Sequence, residues 1–366
     1  MRVASVPEST RVVIAAGGTA GHVKPALATA DALRADGATV SFIGTGRGSG
    51  AGLVAAVGIE EDVVPMRGFE RRLTPKNLIA LGLAVLAVPR AMAALRRRRA
   101  DVVIGGGGYV AGPVAIAAWL LRIPLLLTEA DSHLGMANRL AAPFARRVAL
   151  AFPVEGRSGT KYIVTGRPIG TEVRTATRAA GRAALGIDEG QLCVLVAGGS
   201  QGARTINHAV VGAFGDGPAF ELIHLAGAGQ VDEVRQLLAD RSPGPRYHLL
   251  GYLDNFHDAV AAADLVISRA GGSVFELAAI GRSAILVPYP HATADHQTKN
   301  AQWLVDAGAA VLVPNTECTA ERIADLVAEL LADPDRRDAM ARAARTVARP
   351  DAAQAIAAQA LQLAAE

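Results

Sequence analysis

His22 is the side chain in this sequence best suited to move a proton. It follows the glycine-rich segment Gly17–Gly21, at the point where a helix is expected to begin. The positive end of a helix favours the neutral imidazole, which can accept a proton from a hydroxyl group. We therefore interpret His22 as a candidate general base. The alternative is that this imidazole only caps or packs against the helix.

Two carboxylates follow an apolar segment further along the first half of the chain. Glu129 and Asp131 come directly after Leu125–Leu127, which is predicted to be a buried strand. Ligands of open α/β sheets bind beyond the carboxyl ends of strands. We therefore interpret these side chains as candidates for acid–base catalysis or for a positioning role. Capping of the next helix is the alternative.

Glycine-rich turns in the second half have the composition of phosphate-binding loops. Gly198–Gly202 and Gly271–Ser273 each follow an apolar segment and precede a helix-compatible one. Backbone amides at a helix N-terminus bind anions, and glycine lets a diphosphate approach closely. Glu276 lies where it could accept hydrogen bonds from a ribose. In the alternative interpretation, Ser273 and Glu276 form a capping box.

A polar segment bounded by proline, Pro288–Asn300, follows another predicted strand. Gln297 in this segment is suited to recognise the hydroxyl groups of a sugar. The segment also contains His291, Asp295 and His296. Structural zinc sites usually show more closely spaced Cys and His pairs, so we predict neither a metal nor a cofactor.

The elements that must position these residues alternate between strands and helices in both halves. Such alternation predicts two Rossmann-like α/β domains with parallel sheets, facing a shared cleft. We place the first domain at 1–165, with a helix at 350–366 packing back on it by analogy, and the second at 166–349. The predicted strands are Val12–Ala15, Val40–Ile43, Val102–Ile104, Leu125–Leu127, Val148–Ala151, Leu192–Val196, Glu221–Leu225, Tyr247–Leu249, Leu265–Ser268, Ala284–Val287 and Ala310–Val313. A further glycine-rich segment, Gly46–Ala51, is interpreted as a flexible loop and not as a dinucleotide site.

The amino-acid composition and the charge distribution exclude several classes of function. The chain has 366 residues, 51% of them hydrophobic and 19% charged, which is typical of a globular protein. Residues 1–160 carry a net charge of +8 and the remainder −5, which together give the total of +3. This asymmetry indicates an anionic partner for the first half. Only 4% of residues are aromatic and no known nucleic-acid motif is present, so nucleic acid is not expected as a partner. We also expect no signal peptide and no transmembrane helix.

Phe69–Arg99 combines an apolar segment with basic flanks. The apolar part, Leu78–Val88, lies between two groups of arginines. One interpretation is a surface that binds anionic phospholipid. The other is a core helix with solvated ends, and the pattern favours neither.

Five motifs taken in order resemble those of the MurG family, the peptidoglycan N-acetylglucosaminyltransferases that convert lipid I to lipid II. They are Gly17–His22, Gly107–Pro113, Gly198–Arg204, Ser268–Gly271 and Asp295–Asn300. The resemblance implies the two-domain GT-B fold, UDP-N-acetylglucosamine as donor and undecaprenyl-linked lipid I as acceptor. It also implies inversion at the anomeric carbon, no metal requirement, and a peripheral location at the cytoplasmic face of the membrane.

The resemblance also implies roles for individual residues. His22 corresponds to the proposed base, and Glu129 to a second catalytic residue. The implied substrate-binding residues of the first half are Thr19, Ala20, Gly21, Tyr109, Asp131, Asn138 and Arg167. Those of the second half are Ser200, Gln201, Gly202, Leu253, Arg269, Gly271, Gly272, Ser273, Val274, Phe275, Glu276 and Gln297.

Three segments depart from the family pattern, one of which is the turn before Glu276, one residue shorter than the family's. Thr128–Asp131 stands where the family usually has His-Glu-Gln-Asn, and Gly166–Gly170 stands where it has Gly-Asn-Pro-Val-Arg. These differences keep alternatives open. The chain could be another GT-B transferase with a different lipid or small-molecule acceptor, a UDP-sugar 2-epimerase, or a non-catalytic UDP-sugar binding module.

Overall fold

A computed structural model describes residues 9–48, 50–66 and 75–366 of the chain. It divides into two compact units. Unit 1 comprises residues 1–170 and 349–366, and unit 2 comprises residues 171–348. Each contains a parallel β-sheet covered by helices, so the predicted fold class of two Rossmann-like α/β domains is confirmed.

Unit 1 contains a parallel sheet of seven strands, in the order β3-β2-β1-β4-β5-β6-β7, within the described residues. The strands are β1 (Arg11–Ala15), β2 (Thr39–Gly44), β3 (Glu61–Val63), β4 (Val102–Gly105), β5 (Leu125–Glu129), β6 (Arg147–Leu150) and β7 (Tyr162–Val164). The helices are α1 (Ala20–Ala35), α2 (Leu53–Ala56), α3 (Pro75–Arg97), α4 (Ala111–Leu120), α5 (Met136–Ala141) and, from the end of the chain, α15 (Ala352–Ala365). A 3₁₀ helix, Ala142–Phe144, follows α5.

Helices cover both faces of the unit 1 sheet. One core joins α3, α4 and α5 to one face through residues such as Leu95 and Val114. The other core lies on the opposite face and includes Leu33 of α1. Strands buried on both faces are apolar at nearly every position, as in Val12–Ala15, because neither face meets water.

The last helix completes the second of these cores. Ile356 and Leu363 of α15 are buried against the same cluster that contains α1. Arg147 at the start of β6 donates hydrogen bonds to Gln362, at 2.8 Å, and to Glu366, at 2.9 Å. The expectation that the C-terminal helix packs back on the first domain is confirmed.

Unit 2 contains a parallel sheet of six strands in the order β10-β9-β8-β11-β12-β13. The strands are β8 (Cys193–Ala197), β9 (Glu221–Leu225), β10 (Tyr247–Leu250), β11 (Leu265–Ser268), β12 (Ala284–Leu286) and β13 (Ala310–Leu312). The helices are α6 (Thr171–Thr175), α7 (Arg178–Leu185), α8 (Arg204–Phe214), α9 (Val231–Leu237), α10 (Phe256–Ala262), α11 (Ser273–Ile280), α12 (His296–Asp306), α13 (Ala320–Ala332) and α14 (Pro334–Val347).

The predicted strands all occur, with ends shifted by one or two residues. Sequence analysis missed β3 and β7. Both lie at the edges of the unit 1 sheet and are three residues long. Their residues are mainly half-buried, so neither strand has the continuous apolar run that marks a central one.

Candidate functional site

His22 lies in the first turn of α1, directly beyond the carboxyl end of β1. The side chain of Thr19 is 3.0 Å from its Nδ1 atom, measured from the hydroxyl oxygen Oγ1. In the tautomer that carries its proton on Nδ1 and donates it to Thr19, Nε2 is the ring nitrogen that can accept a proton. His22 also lines a pocket with Gly106, Thr128 and Glu129.

The surroundings of His22 favour its neutral form. Burial lowers the pKa of the imidazole, and the nearby positive charge of Arg167 lowers it further. The negative charge of Asp131 acts in the opposite direction. A neutral imidazole at physiological pH is the form that a general base requires.

Arg167 joins two loops of unit 1. Its guanidinium donates hydrogen bonds to the carbonyl of Gly21, at 2.7 Å, and to that of Ala130, at 3.4 Å. One side chain therefore connects the segment before His22 to the segment after β5. The resemblance implied that Arg167 binds substrate, and the structure places its charge close enough to lower the pKa of His22.

Glu129 is buried at the end of β5, and donors surround its carboxylate. Oε1 accepts a hydrogen bond from the amide of Asp131 at 3.1 Å, and Oε2 accepts from the amide of Gly135 at 2.8 Å. Asn138 donates its Nδ2 to the same Oε2, at 2.9 Å, and also to the carbonyl of Thr128, at 3.0 Å. Burial raises the pKa of Glu129, while these hydrogen bonds lower it. Burial has the larger effect, so the pKa of Glu129 is raised overall, on a carboxyl group whose orientation these hydrogen bonds fix.

Glycines around His22 are required by close contacts. A Cβ atom on Gly107 would lie 2.7 Å from Cδ2 of His22, and one on Gly48 would lie 1.9 Å from the carbonyl oxygen of Gly18. Gly18 and Gly48 also form a parallel β-bridge. The loop Gly46–Ala51, which we interpreted as flexible and not as a dinucleotide site, therefore contacts the first glycine turn through Gly48; its Ser49 lies outside the described residues.

The remaining first-half residues lie at the same edge of the sheet. Thr19 and Gly21 are exposed and Ala20 is half-buried, while Asp131 is half-buried. Tyr109 follows β4 and is 52% exposed, close to Gly18, so its side chain is accessible to a substrate.

In unit 2, three loops follow three neighbouring strands. Gly198–Gly202 follows β8, Arg269–Ser273 follows β11, and the segment from Val287 to Gln297 follows β12. Ser200 and Gln201 are exposed in the first of these loops. The structure thus brings the predicted donor-binding turns of this unit to one edge of its sheet.

Arg269 is held by the protein in this structure. Its Nη1 atom donates to the carbonyls of Val287, at 3.0 Å, and Pro288, at 2.9 Å, and to Oδ1 of Asn315, at 2.8 Å. Its guanidinium carbon also lies 5.6 Å from the centre of the Tyr289 ring. These contacts favour a role in shaping the loop after β12 over direct contact with a substrate.

Gln297 lies beside the turn after β11. Its Oε1 accepts a hydrogen bond from the amide of Tyr289 at 2.9 Å, which leaves the side-chain amide group oriented as a donor. A Cβ atom on Gly271 would be 3.9 Å from Nε2 of Gln297. Gln297 and the turn are therefore close enough to bind one ligand.

Val274 and Phe275 are buried in the core of unit 2, with 0% and 5% of their surface exposed. Their side chains cannot reach a ligand, which limits both residues to backbone contacts. Gly272, Ser273 and Glu276 are half-buried at the start of α11. Leu253 is half-buried and follows β10, two strands away from β8.

Part of the predicted basic and apolar patch falls outside the described residues, namely 67–74. Of the arginines after the apolar segment, Arg97 and Arg98 form ion pairs with Asp62, and Arg98 also pairs with Glu60. The carboxylates that pair with these two cations lie in β3 and directly before it. In the interpretation of this segment as a phospholipid-binding surface, Arg97 and Arg98 are therefore already paired within the protein.

The exposed apolar side chains extend beyond the predicted segment Leu78–Val88 onto two neighbouring helices of the same unit, which sequence analysis missed. Helix α4 packs against both α3 and α5. The apolar side chains that these three helices expose, here called the apolar surface, are Val85, Leu86, Ile116, Trp119, Leu120, Met136 and Leu140. On α4 and α5 they are spaced three or four residues apart, which places them on one face of each helix.

Within the described residues, no group of three or more His, Cys, Asp or Glu side chains is arranged to hold a metal ion. No helix among those residues has the length and hydropathy needed to cross a membrane.

Comparison with known proteins relates both units to one family. Residues 12–150 match the glycosyltransferase family 28 N-terminal domain, and residues 193–356 match the glycosyltransferase family 28 C-terminal domain. A relative from Nitrosococcus oceani is 41% identical, over 97% of this chain and 99% of its own, and one from Halothermothrix orenii is 37% identical, over 93% and 95%. Both are named UDP-N-acetylglucosamine–N-acetylmuramyl-(pentapeptide) pyrophosphoryl-undecaprenol N-acetylglucosamine transferase.

Solved structures agree with this relation. The crystal structure of Acinetobacter baumannii MurG superposes with a TM-score of 0.77 at 31% identity, and the match covers 97% of this chain and all of that one. A putative UDP-N-acetylglucosamine 2-epimerase from Listeria monocytogenes has a TM-score of 0.67 at 15% identity, with 95% of each chain covered, and shares the fold alone. The sequence motifs, the two parallel-sheet units and these relatives together show that the chain belongs to the MurG family of glycosyltransferase family 28.

Proposed function

We propose that this protein transfers N-acetylglucosamine from UDP-N-acetylglucosamine to the C4 hydroxyl of the N-acetylmuramyl group of lipid I, which forms lipid II. Relatives that are 37% and 41% identical over nearly the full chain carry the name of this activity. The single structural observation that carries the proposal is the placement of His22. It is a half-buried imidazole in the first turn of α1 whose surroundings favour the neutral form, and its Nδ1 is 3.0 Å from the hydroxyl oxygen of Thr19.

The reaction is a single displacement that inverts the anomeric carbon. The acceptor oxygen forms a bond to the anomeric carbon while its proton passes to Nε2 of His22. The bond from that carbon to the diphosphate oxygen breaks, and UDP leaves with the electron pair. His22 then releases its proton to solvent, so that the imidazole returns to the neutral form.

The donor side of the reaction belongs to unit 2. The glycine turns after β8 and β11 offer backbone amides to the diphosphate, and such donors stabilise the charge that develops on a leaving group. Gln297 adds a side-chain amide beside Gly271. We assign recognition of the sugar hydroxyls to Gln297, and binding of the ribose to Glu276.

The apolar surface of α3, α4 and α5 supports binding to the cytoplasmic face of the membrane, where a polyprenyl-linked acceptor is held. Trp119 is 53% exposed and Leu140 is 68% exposed, although water disfavours such groups. The exposed Arg139 lies next to Leu140 on α5, and Arg90 is exposed on α3. A basic edge beside aromatic and aliphatic side chains is typical of surfaces that bind anionic phospholipid.

The first test of the proposed function is an assay with purified protein, UDP-N-acetylglucosamine and a short-chain lipid I analogue, with EDTA present. We expect release of UDP and formation of the disaccharide product only when the acceptor is added. Disaccharide formed in the presence of EDTA would also support metal independence. Free N-acetylmannosamine released without acceptor would indicate an epimerase. Donor binding without transfer would indicate a different acceptor and direct attention to Thr128–Asp131.

The base assignment has its own test. We expect His22→Ala to reduce kcat by about 10²- to 10⁴-fold, the range that a general base contributes, while the dissociation constant for UDP stays the same. Stopped assays give kcat, and calorimetric titration gives the UDP constant. Near-normal turnover in the variant would remove His22 from the mechanism.

A further inference from the structure

A hydrogen-bonded series of buried polar side chains lies beneath the first glycine loop of unit 2. It begins at Tyr247 on β10, passes through His224 on β9 and reaches Asn207 on α8. Tyr247 Oη lies 2.7 Å from Nδ1 of His224, and Nε2 of His224 lies 3.0 Å from Oδ1 of Asn207. His224 is 0% exposed and Asn207 is 1% exposed. Polar groups at this depth are expensive to bury, so their hydrogen bonds must be satisfied within the protein.

The series of hydrogen bonds continues from Asn207 to the loop. Nδ2 of Asn207 donates to Oε1 of Gln230 and to the carbonyl of Ala226, both at 2.9 Å. Nε2 of Gln230 then donates to the carbonyl of Gln201, at 3.0 Å. Gln201 belongs to the loop Gly198–Gly202, so a continuous path of hydrogen bonds joins the interior of the sheet to this loop.

Every hydrogen bond of this series runs in the same direction, with the donor on the side of Tyr247 and the acceptor on the side of Gln201. Because Oδ1 of Asn207 only accepts, the proton of His224 must be on Nε2. Nδ1 is then an acceptor, and the hydroxyl of Tyr247 donates to it. Reversing the Asn207 amide would place its oxygen against Gln230 Oε1 and its NH2 group against Nε2–H of His224. A single tautomer of His224 therefore fixes a single orientation of Asn207.

The space under the loop leaves little room for another arrangement. Gly202 has φ +77°, and a Cβ atom on it would lie 2.2 Å from the carbonyl oxygen of Ala226. The same atom would lie 2.9 Å from Cδ of Gln230. The loop backbone thus rests directly on two groups that Asn207 holds.

We propose that Tyr247 and His224 are positioning residues for the diphosphate-binding loop, acting through Asn207 and Gln230 on the carbonyl of Gln201. This inference rests on the proposed function, in which that loop binds the diphosphate of the donor. Neither side chain touches the substrate. Their effect is to hold the loop in the conformation that presents its amides before the ligand arrives, which lowers the cost of ordering it on binding.

The test measures UDP binding by calorimetry, together with the KM values for donor and acceptor. Tyr247→Phe removes only the hydroxyl that donates to His224. We expect it to weaken UDP binding about tenfold, equivalent to 1.4 kcal/mol. The donor KM should rise similarly, with the acceptor KM unchanged. His224→Leu should weaken UDP binding further. His224→Gln should restore part of the affinity, because a glutamine amide both accepts and donates.

A matched control lies one residue further along α8. His208 is exposed, and its ring pairs with Glu233, so His208→Gln changes the same residue type on the same helix away from the buried series of hydrogen bonds. We expect its UDP binding to match that of the wild type. The unfolding midpoint of each variant shows whether it folds, and if His224→Leu does not, Tyr247→Phe decides the test.

Nitrogen-15 NMR gives a readout that a merely structural role would not move. We expect His224 to carry its proton on Nε2 both in the wild type and in Tyr247→Phe, because Asn207 Oδ1 only accepts, and we expect the Nδ1 resonance to shift in the variant, because Nδ1 loses the hydrogen bond that Tyr247 donates. UDP affinity within twofold of wild type in both Tyr247→Phe and His224→Leu would overturn the positioning role, as would a proton on Nδ1 in the wild type. Failure of the wild type itself to bind UDP would instead overturn the proposed function.

Discussion

At the scale of single residues, the charges around His22 decide which protonation state it has. Burial and Arg167 both disfavour the imidazolium, and Asp131 favours it. Arg167 also holds the carbonyls of Gly21 and Ala130, so one guanidinium both shapes the site and adjusts its base. A half-buried base between opposite charges responds in opposite directions to the loss of each charge.

The pH dependence of kcat/KM tests this arrangement. We expect the acid limb of the wild type to lie below the ordinary histidine pKa of 6.5, because the pKa of His22 is lowered. Arg167→Gln removes a positive charge and should move that limb to higher pH. Asp131→Asn removes a negative charge and should move it to lower pH.

Arg167→Lys serves as the control, because lysine retains the charge. Its acid limb should stay closer to that of the wild type than the limb of Arg167→Gln. Shifts of the same sign in Arg167→Gln and Asp131→Asn would show that the limb reports on a group other than His22.

At the scale of elements, the loops are shaped by glycines that cannot carry a side chain. Gly202 combines a positive φ with a direct approach to the carbonyl of Ala226. Gly199, in the same loop, has φ +89° but open space around the position of a Cβ atom. Substitutions at these two positions therefore separate backbone strain from steric contact.

We expect Gly202→Ala to cost roughly 1–3 kcal/mol in the free energy of unfolding and to weaken UDP binding more than tenfold. Gly199→Ala introduces only the strain of an unfavourable φ, so it should have a smaller effect on the free energy of unfolding and on UDP affinity. Denaturant unfolding and calorimetric titration measure the two effects.

Gly229→Ala is the matched control, because Gly229 has no positive φ and no atom within 4 Å of its Cβ position. This variant should have a free energy of unfolding and a UDP affinity near the wild-type values. An equal loss of UDP affinity in the Gly202 and Gly229 variants would contradict the steric argument.

At the scale of the whole molecule, apolar side chains exposed on unit 1 mark the surface proposed to meet the membrane. Leu120 is 50% exposed on α4, and Met136 is 68% exposed on α5. These side chains come from helices that are separate in sequence and packed together in the fold. The net charge of +8 over residues 1–160 adds attraction to an anionic surface.

Leu120→Asp should weaken binding to vesicles that contain phosphatidylglycerol by about tenfold or more, because it places a charge within the apolar surface. Turnover of a short-chain, water-soluble acceptor analogue should be unchanged. Vesicle sedimentation measures binding to the vesicles, and the transfer assay measures turnover of the analogue.

The control is Leu192→Asp, since Leu192 is an exposed leucine of unit 2, outside the apolar surface. Its vesicle binding should equal that of the wild type. If both variants lost binding equally, the effect would come from net charge and not from the apolar surface.

Local pattern accounts for most of what could be predicted about the fold and the site. Apolar runs such as Val12–Ala15 identify buried strands, and the glycines after them identify ligand-binding turns, because both signals are carried by adjacent residues. His22 and Gln297 were found in this way. The edge strands β3 and β7 were not, because three half-buried residues carry too little signal.

By itself, the sequence determined the two α/β halves, the order of their glycine turns and the family to which the motifs point. Only the tertiary structure decided that Glu129 is surrounded by donors from 131–138, that Arg167 acts on His22, and that His224 is linked to the loop containing Gln201. The physical reason is distance along the chain. Strand and turn signals lie within a few neighbouring residues, whereas each of these three arrangements depends on hydrogen bonds or charges between segments that only packing brings together.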